Sequence, residues 1–194
     1  MPPFMGQGMC AGIRDVSNLA WKISHCLNNK HDEKLLKTYQ SERFSNVKEY
    51  IETTMRMGEF VNAVGKSPIT NNISADSKGR KSMKSIKPRL GHGLGDLKDK
   101  FRGKIFPQFI IKKNKKLDEK FSLKPALIIS DEIKKNISSK IKLIKSKNIK
   151  NLELFFKEHN CKAIIVRPDR FILSSCTSVK NFNSYLNKNL SLLA

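Results

Sequence analysis

Three glycines, two prolines and a side-chain amide crowd the first twelve residues, MPPFMGQGMCAG, and no other stretch is so arranged for chemistry. Gly6, Gly8 and Gly12 have no Cβ, so a flat or anionic group could lie directly against the backbone there. From Ile13 the stretch runs on as an amphipathic helix, with Ile13, Val16, Ala20, Ile23 and Leu27 in 3-4-3-4 spacing. That spacing predicts one buried apolar face, with Arg14, Asp15, Asn18 and Lys22 off it. The start of the helix matters most, because it carries N–H groups without acceptors and about half a positive charge. Glycines entering a helix are by themselves a weak signal, since a tight turn feeding a core helix reads the same way. Nothing else competes with them. His25, His31, His92 and His159 are scattered and match no ligand pattern, and Cys10, Cys26, Cys161 and Cys176 form neither a C-x-x-C pair nor a zinc spacing. No metal site is expected, and no acid, base or nucleophile is assigned a catalytic role.

The particular residues say more than the spacing. Pro2-Pro3, Gly6-Gln7-Gly8-Met9, Gly12-Ile13-Arg14-Asp15 and Asn18-Leu19-Ala20-Trp21-Lys22 are followed by Tyr39, Glu42 and Arg43 as Tyr-x-x-Glu-Arg. This ordered set closely resembles the second flavin-contacting segment of the FAD-dependent aromatic hydroxylases of the para-hydroxybenzoate and phenol hydroxylase type. Within them it is most similar to the 3-(3-hydroxyphenyl)propionate hydroxylase branch. The resemblance implies FAD as cofactor, NAD(P)H as co-substrate and O2 as oxidant, with a small phenolic ring as substrate. It places Pro3, Gly6, Gln7, Gly8, Met9 and Cys10 beside the pyrimidine edge of the isoalloxazine. Backbone amides of Gly8, Met9 and Cys10 would face that edge, and Pro3 would shape the approach. Reduced flavin is anionic there, and the helix dipole would favour it by roughly 0.3–2 kcal/mol. Cys10 stands where many relatives carry Asn, a tolerable change if the contact is through the backbone.

Composition bounds the rest. A net charge of +21 falls mostly on residues 71–194, where 29 Lys and Arg face ten Asp and Glu; residues 1–70 hold nine against seven. Such a half attracts polyanions in a salt-dependent way. Its lysines are interleaved with Asn, Ser and Ile, and no nucleic-acid-binding signature accompanies them. A solvated lysine-rich surface explains the charge better than specific nucleic-acid binding. No apolar run approaches the ~20 residues that span a bilayer. With no signal peptide in view, the cysteines read as reduced thiols in a cytoplasmic protein.

The elements that must position the first segment can be read in order. The first helix ends near Asn28-Asn29-Lys30. Asp32 reads as the N-cap of a second helix to about Val64, buried through Leu36, Tyr39, Val47, Tyr50, Ile51, Thr54, Val61 and Val64. Arg43 is the side chain expected to reach back to the first helix, in a structural role. Residues 66–104 are rich in Lys, Ser and Gly and read as a linker, partly disordered around 70–85. Gly93-Leu94-Gly95-Asp96 within it is no nucleotide loop, since it neither follows a strand nor precedes an apolar helix. Pro88 to Gly91 and Gly103 to Gln108 resemble the family's passage into its C-terminal domain.

From residue 105 short apolar runs predict strands near 125–129, 162–166 and 170–175, with Arg167-Pro168-Asp169-Arg170 as a turn. Ser130 or Asp131 would cap a helix through Ile133, Ile137, Ile141 and Ile144. A short helix carries Leu152, Phe155 and Phe156, and a last one Val179, Phe182, Leu186 and Leu190. The expected fold is α/β: residues 1–65 as the helical end of an FAD-binding domain, the linker 66–104, and 105–194 as a thioredoxin-like β-α-β-β-α domain.

The family's dinucleotide loop G-x-G-x-x-G and its Gly-Asp pair have no counterpart here. The reading is therefore of a C-terminal part of such a monooxygenase, inactive alone, whose partner is the missing N-terminal FAD and substrate portion, with a homodimer left open. The alternatives are a non-catalytic thioredoxin-like interaction module and, behind it, a basic nucleic-acid-binding protein.

Overall fold

The computed structural model of the protein describes residues 6–29, 33–62, 73–75, 81–83, 86–112, 115–121, 124–134, 141–147 and 149–190. Two long helices open it, α1 (Gln7–Asn29) and α2 (Lys34–Asn62). Two small antiparallel hairpins follow, β1 (Ile73–Ala75) with β2 (Lys81–Met83) and β3 (Ile110–Lys112) with β4 (Lys115–Lys116). The C-terminal part is β5 (Ala126–Ile129), β6 (Lys142–Lys145), α3 (Lys150–Glu158), β7 (Ala163–Val166), β8 (Ile172–Cys176) and α4 (Phe182–Leu190). Its sheet runs β6-β5-β7-β8, with β5 parallel to β6 and antiparallel to β7, and β7 antiparallel to β8. That order and polarity make a thioredoxin-like sheet, and the chain is an α/β protein as the sequence predicts.

The sheet is apolar on both faces, which is why its strands read as unbroken hydrophobic runs rather than alternating ones. Ala126, Ile128, Ile164 and Val166 point to a layer made by α3 and the phenylalanines Phe101, Phe106 and Phe109. Leu127, Ile129, Ala163 and Ile165 point the other way, toward Phe182, Leu186 and Leu190 of α4. Arg170 N–H donates to the Arg167 carbonyl at 3.0 Å, closing the predicted turn between β7 and β8 with Pro168 at its second position.

Three expectations are corrected. Ile141 and Ile144 do not continue a helix from Ser130: residues 131–134 are not helical, Ile144 lies in β6, and Ile137 falls outside the described residues. Isoleucine is β-branched and stiff, and the run KLIK pairs with β5 residue for residue, Ile128 opposite Ile144. Val179 precedes α4 and is largely exposed, so that helix begins at Phe182. The third concerns α1. Its apolar stripe does not face the interior: Ile13 is 57% exposed, Val16 67%, Ile23 41% and Leu27 78%, and Ala20 is exposed as well. The buried side is instead Ala11, Asn18, Trp21 and Lys22. On α2, Tyr50 and Thr54 are buried as expected, while Leu36, Tyr39, Val47 and Ile51 are half-buried. The deepest positions of α2 are polar, Glu42, Thr54, Asn46 and Arg43. Asp32, Val61 and Val64 lie outside the residues whose side chains are described.

Residues 86–104 lie against both halves of the chain. Leu90, Phe101 and Arg102 are buried, Gly91 N–H donates to the Glu42 carbonyl at 2.9 Å, and Gly103 N–H donates to the Ile172 carbonyl at 2.9 Å.

Candidate functional site

The glycine-rich segment forms the first turn of α1, which begins at Gln7 rather than at Ile13. Gly6 sits just outside the helix in the left-handed region (φ 61°), a conformation a side chain would strain. A helix leaves its leading N–H groups without acceptors in the helix, and in α1 those of Gly8 and Met9 are among them. Gly6, Gly8 and Met9 are exposed, and Gln7 and Cys10 are half-buried. Among the described residues, a Cβ built on Gly8 meets nothing within 4 Å. The six residues expected at the site thus fall together on one exposed helix start, apart from Pro3, which lies outside the described residues. A cleft of about 480 Å3 opens beside Gln7, lined among others by Arg14, Tyr50, Pro107, Gln108 and Arg170.

What orients this helix start is a buried cluster of charges that no local pattern announces. Lys22 of α1 donates to Glu42 Oε2 at 2.9 Å, with both side chains excluded from solvent. From the turn after β7, Arg167 closes on the same carboxylate with two parallel bonds, Nη1 to Oε1 at 2.8 Å and Nη2 to Oε2 at 2.9 Å. Its Nη2 and Nε also reach Asp169, at 2.6 and 3.1 Å. Asn18 of α1 bridges the two acids, its Nδ2 lying 3.2 Å from Glu42 and 2.8 Å from Asp169. Leu94 N–H donates to Glu42 Oε1 at 2.9 Å, and Arg102 stands 3.8 Å from the same oxygen. The Arg167 guanidinium stacks 5.1 Å from the centre of the Trp21 ring.

Burial by itself would push the Glu42 carboxyl up. The Arg167 and Lys22 charges and their hydrogen bonds outweigh it and hold the group down at about 2. Burial pulls Lys22 below the ordinary lysine range against the opposing pull of Glu42. Arg167 moves upward, because its two carboxylates and their hydrogen bonds overcome burial. Glu42 is therefore held as a carboxylate, with Lys22, Asn18, the Leu94 N–H and both Arg167 nitrogens donating to its two oxygens. The cluster is a clasp between α1, α2 and the turn after β7.

Gly93 explains the loop that looked like a nucleotide motif. A Cβ there would collide with the Glu42 side chain, so glycine lets the loop come close enough for Leu94 N–H to bond it. Arg43 takes its expected structural part, Nε donating to Asp15 of α1 at 2.6 Å and Nη1 to Asn46 at 2.7 Å. Asn46 in turn holds the Pro88 carbonyl at 2.7 Å. Asn18, Lys22 and Glu42 were legible as motif residues, but not as one site with Arg167. For Asn18 and Lys22 the signal available was their place off the apolar stripe of α1, four residues apart.

The remaining chemistry is quiet. The four cysteines are free thiols, and burial pushes Cys161 up to about 11, out of reach as a nucleophile. Among the described residues no group of His, Cys, Asp and Glu is placed to hold a metal ion, and no helix is long and apolar enough to cross a membrane.

Comparison with known proteins agrees with this architecture. Residues 1–54 match the family model of an FAD binding domain. The chain is 36% identical over 115 residues to a probable NADH-specific resorcinol 4-hydroxylase of Rhodococcus jostii (strain RHA1), a match covering 57% of this chain and 21% of that one. It is 42% identical over 57 residues to a 3-(3-hydroxy-phenyl)propionate/3-hydroxycinnamic acid hydroxylase of Burkholderia cenocepacia (strain HI2424), covering 29% and 10%. Among solved structures, aklavinone-11 hydroxylase in complex with FAD and aklavinone superposes with a TM-score of 0.55 at 16% identity, over 98% of this chain and 42% of that one. The flavin-dependent monooxygenase PieE, in complex with FAD and substrate, superposes with a TM-score of 0.61 at 12% identity, over 99% and 45%. The chain is thus similar to the FAD-dependent aromatic hydroxylases, in sequence over its first helices and in fold throughout. It spans about a fifth of the length of the Rhodococcus relative.

Proposed function

We propose that this chain is the C-terminal part of an FAD-dependent aromatic monooxygenase, supplying one wall of the flavin site and the thioredoxin-like domain. The observation that carries the reading is the match of residues 1–54 to an FAD binding domain, in a segment where a Cβ built on Gly8 meets none of the described residues within 4 Å. On this reading residues 1–65 complete the flavin domain, 66–104 link it onward, and 105–194 are the C-terminal domain.

The donor set fits one edge of the flavin and no more. Backbone amides of Gly8, Met9 and Cys10 would face the pyrimidine edge, with Gly6 and Gln7 beside them and Pro3 shaping the approach. FAD, when bound, supplies the redox chemistry between NAD(P)H, O2 and a small phenolic substrate. This chain's amides and helix dipole would favour negative charge on the ring edge, by roughly 0.3–2 kcal/mol for the dipole. The clasp around Glu42, with the Arg43–Asp15 pair, holds α1 against α2 and the C-terminal domain, so the helix start keeps one orientation. We assign no catalytic acid, base or nucleophile to this chain, and place the protein in the cytoplasm.

A few backbone hydrogen bonds, at about 0.5–1.5 kcal/mol each, do not offset the entropy of immobilising so large a ligand. The 194-residue chain should therefore purify colourless and oxidise no NAD(P)H. Joined to an N-terminal flavin-domain portion it should turn yellow. Titrating FAD with flavin fluorescence as readout checks the first half; micromolar binding by this chain alone would move the site elsewhere.

A further inference from the structure

Ser130 and Ser146 stand where the fold asks for apolar side chains. The strands β5 and β6 are parallel, with Ile129 opposite Lys145, so the residues that follow them lie side by side. Ser146 N–H still donates to the Ile129 carbonyl at 2.9 Å, and Ser130 N–H to the Lys162 carbonyl at 2.9 Å. Side chains alternate along a strand, which puts Ser130 on the face of Ile128 and Ser146 on that of Ile144. That face is the one α3 covers. Ser130 is 7% exposed and Ser146 1%. Yet Ser130 Oγ has no hydrogen-bond partner, and the Ser146 hydroxyl has none among the described residues. Burying an unpaired hydroxyl is costly, and folded proteins rarely leave one without a reason.

Both serines line a cavity of about 270 Å3 at the carboxyl ends of the two parallel strands. In open α/β sheets ligands sit at that end of the strands. The volume exceeds that of a single water and falls below the ~300–1,000 Å3 of sites for drug-sized ligands, which sets the scale of a small metabolite. Its floor is apolar: Phe156 of α3 is 3% exposed, and the buried Cys161 thiol donates to the Ala163 carbonyl at 3.3 Å. Charges of both signs stand around that floor. Asp131 and Glu132 follow β5, and Glu153 and Lys157 lie about one turn apart on α3. Lys162 leads into β7 and pairs with Glu132. This lining selects by charge. A phosphate would meet three carboxylates. A simple amine would meet two lysines, in a chain whose net charge of +21 repels cations. A molecule with one charge of each sign and none overall escapes both penalties.

We propose that the cavity at the ends of β5 and β6 binds a free α-amino acid. Its ammonium would lie toward Asp131 and Glu153 and its carboxylate toward Lys157. Ser130 and Ser146 would take up the hydrogen bonds left over at the two ends, with the ligand's side chain against Phe156. The site lies wholly within the thioredoxin-like domain and is independent of the flavin reading.

The test uses the 194-residue chain. Thermal unfolding is recorded with each of the common amino acids at ~10 mM, and those that raise Tm are titrated by calorimetry. At least one should bind with Kd below ~1 mM and raise Tm by about 2 °C or more, since a ligand held only by the folded chain stabilises it. Its N-acetyl and amide derivatives, each lacking one of the two charges, should bind at least about tenfold more weakly. Ser130→Ala should weaken binding at least about fivefold, while the empty variant melts within about 1 °C of the parent, because no hydrogen bond is lost. Lys157→Gln, at an exposed position, should weaken binding with the melting temperature of the empty chain unchanged. Four results would each overturn the proposal. They are no amino acid bound at ~10 mM, equal binding of the N-acetyl or amide form, binding unchanged in either variant, and an empty Ser130→Ala chain that melts several degrees lower.

Discussion

Glu42 of α2 and Arg167, 125 residues later in the turn after β7, meet as a bidentate pair at 2.8 and 2.9 Å with both side chains out of solvent. This one contact ties the two long helices to the thioredoxin-like sheet. Because Lys22 shares the same carboxylate, the pair also fixes α1.

Replacing Glu42 by Gln should be severe. It leaves Lys22 and Arg167 buried with their shared carboxylate gone, and removing one member of a buried ion pair costs about 3–5 kcal/mol. Urea unfolding followed by circular dichroism should show the loss. Arg167→Lys should also destabilise, since a lysine cannot reproduce the two parallel bonds. A change within about 0.5 kcal/mol for Glu42→Gln would show that the clasp does not bear on stability.

The same carboxylate sets an acid limit. Glu42 is held at about 2 in the folded chain, below its ordinary value of 4.5. The unfolded chain therefore takes up its proton first as pH falls. The stability from this group is fully present above about pH 4.5 and disappears progressively as pH falls toward 2, by roughly 3 kcal/mol in all. Denaturation midpoints measured between pH 6 and about pH 2.5 should fall in that window. In Glu42→Gln this portion of the fall should be absent.

Arg170 holds a left-handed backbone (φ 68°) while its guanidinium stacks 4.2 Å from the centre of the Phe121 ring. Arg170→Ala and Arg170→Gly both lose the stacking, but only the alanine keeps the backbone penalty. The glycine variant should be the more stable of the two by about 1 kcal/mol. Equal midpoints in guanidinium chloride would show that the turn relaxes around the side chain.

Gly8→Leu tests the flavin edge in the chain joined to an N-terminal portion. An added Cβ at Gly8 projects into open space, so the isolated chain should keep its melting temperature. In the joined protein the side chain would stand between the ring and the backbone amides, and FAD affinity should fall at least about tenfold. Unchanged affinity would place the flavin away from α1.

Any binding of DNA should reflect only the surplus of lysine in residues 71–194. It should vanish by ~200 mM salt and show no sequence preference in a gel-shift competition. Salt-resistant, sequence-selective binding would make the charge functional.

The local elements were legible because their causes are local. The helices α1 and α2, the strands β5, β7 and β8, and the turn at Pro168 follow from periodicity, apolar runs and fixed backbone dihedrals over a few residues. So does the grouping of Gly6 to Cys10 at one helix start. Arg43 was legible too, because a long side chain four residues from a half-buried valine and tyrosine has few places to go. Strand β6 was not: an isoleucine every three or four residues reads as a helical stripe, and only pairing with β5 decides for a strand.

Two features were decided by the tertiary structure alone. Amphipathicity shows that one side of α1 must be covered, but not by what. In this chain the polar side went inward, because Asn18 and Lys22 find Glu42, Arg167 and Asp169 there, and the apolar row was left outside. The second is the clasp itself. A charge in a sequence carries no record of its partner, and Glu42 and Arg167 become neighbours only when the sheet order β6-β5-β7-β8 brings the turn after β7 against α2.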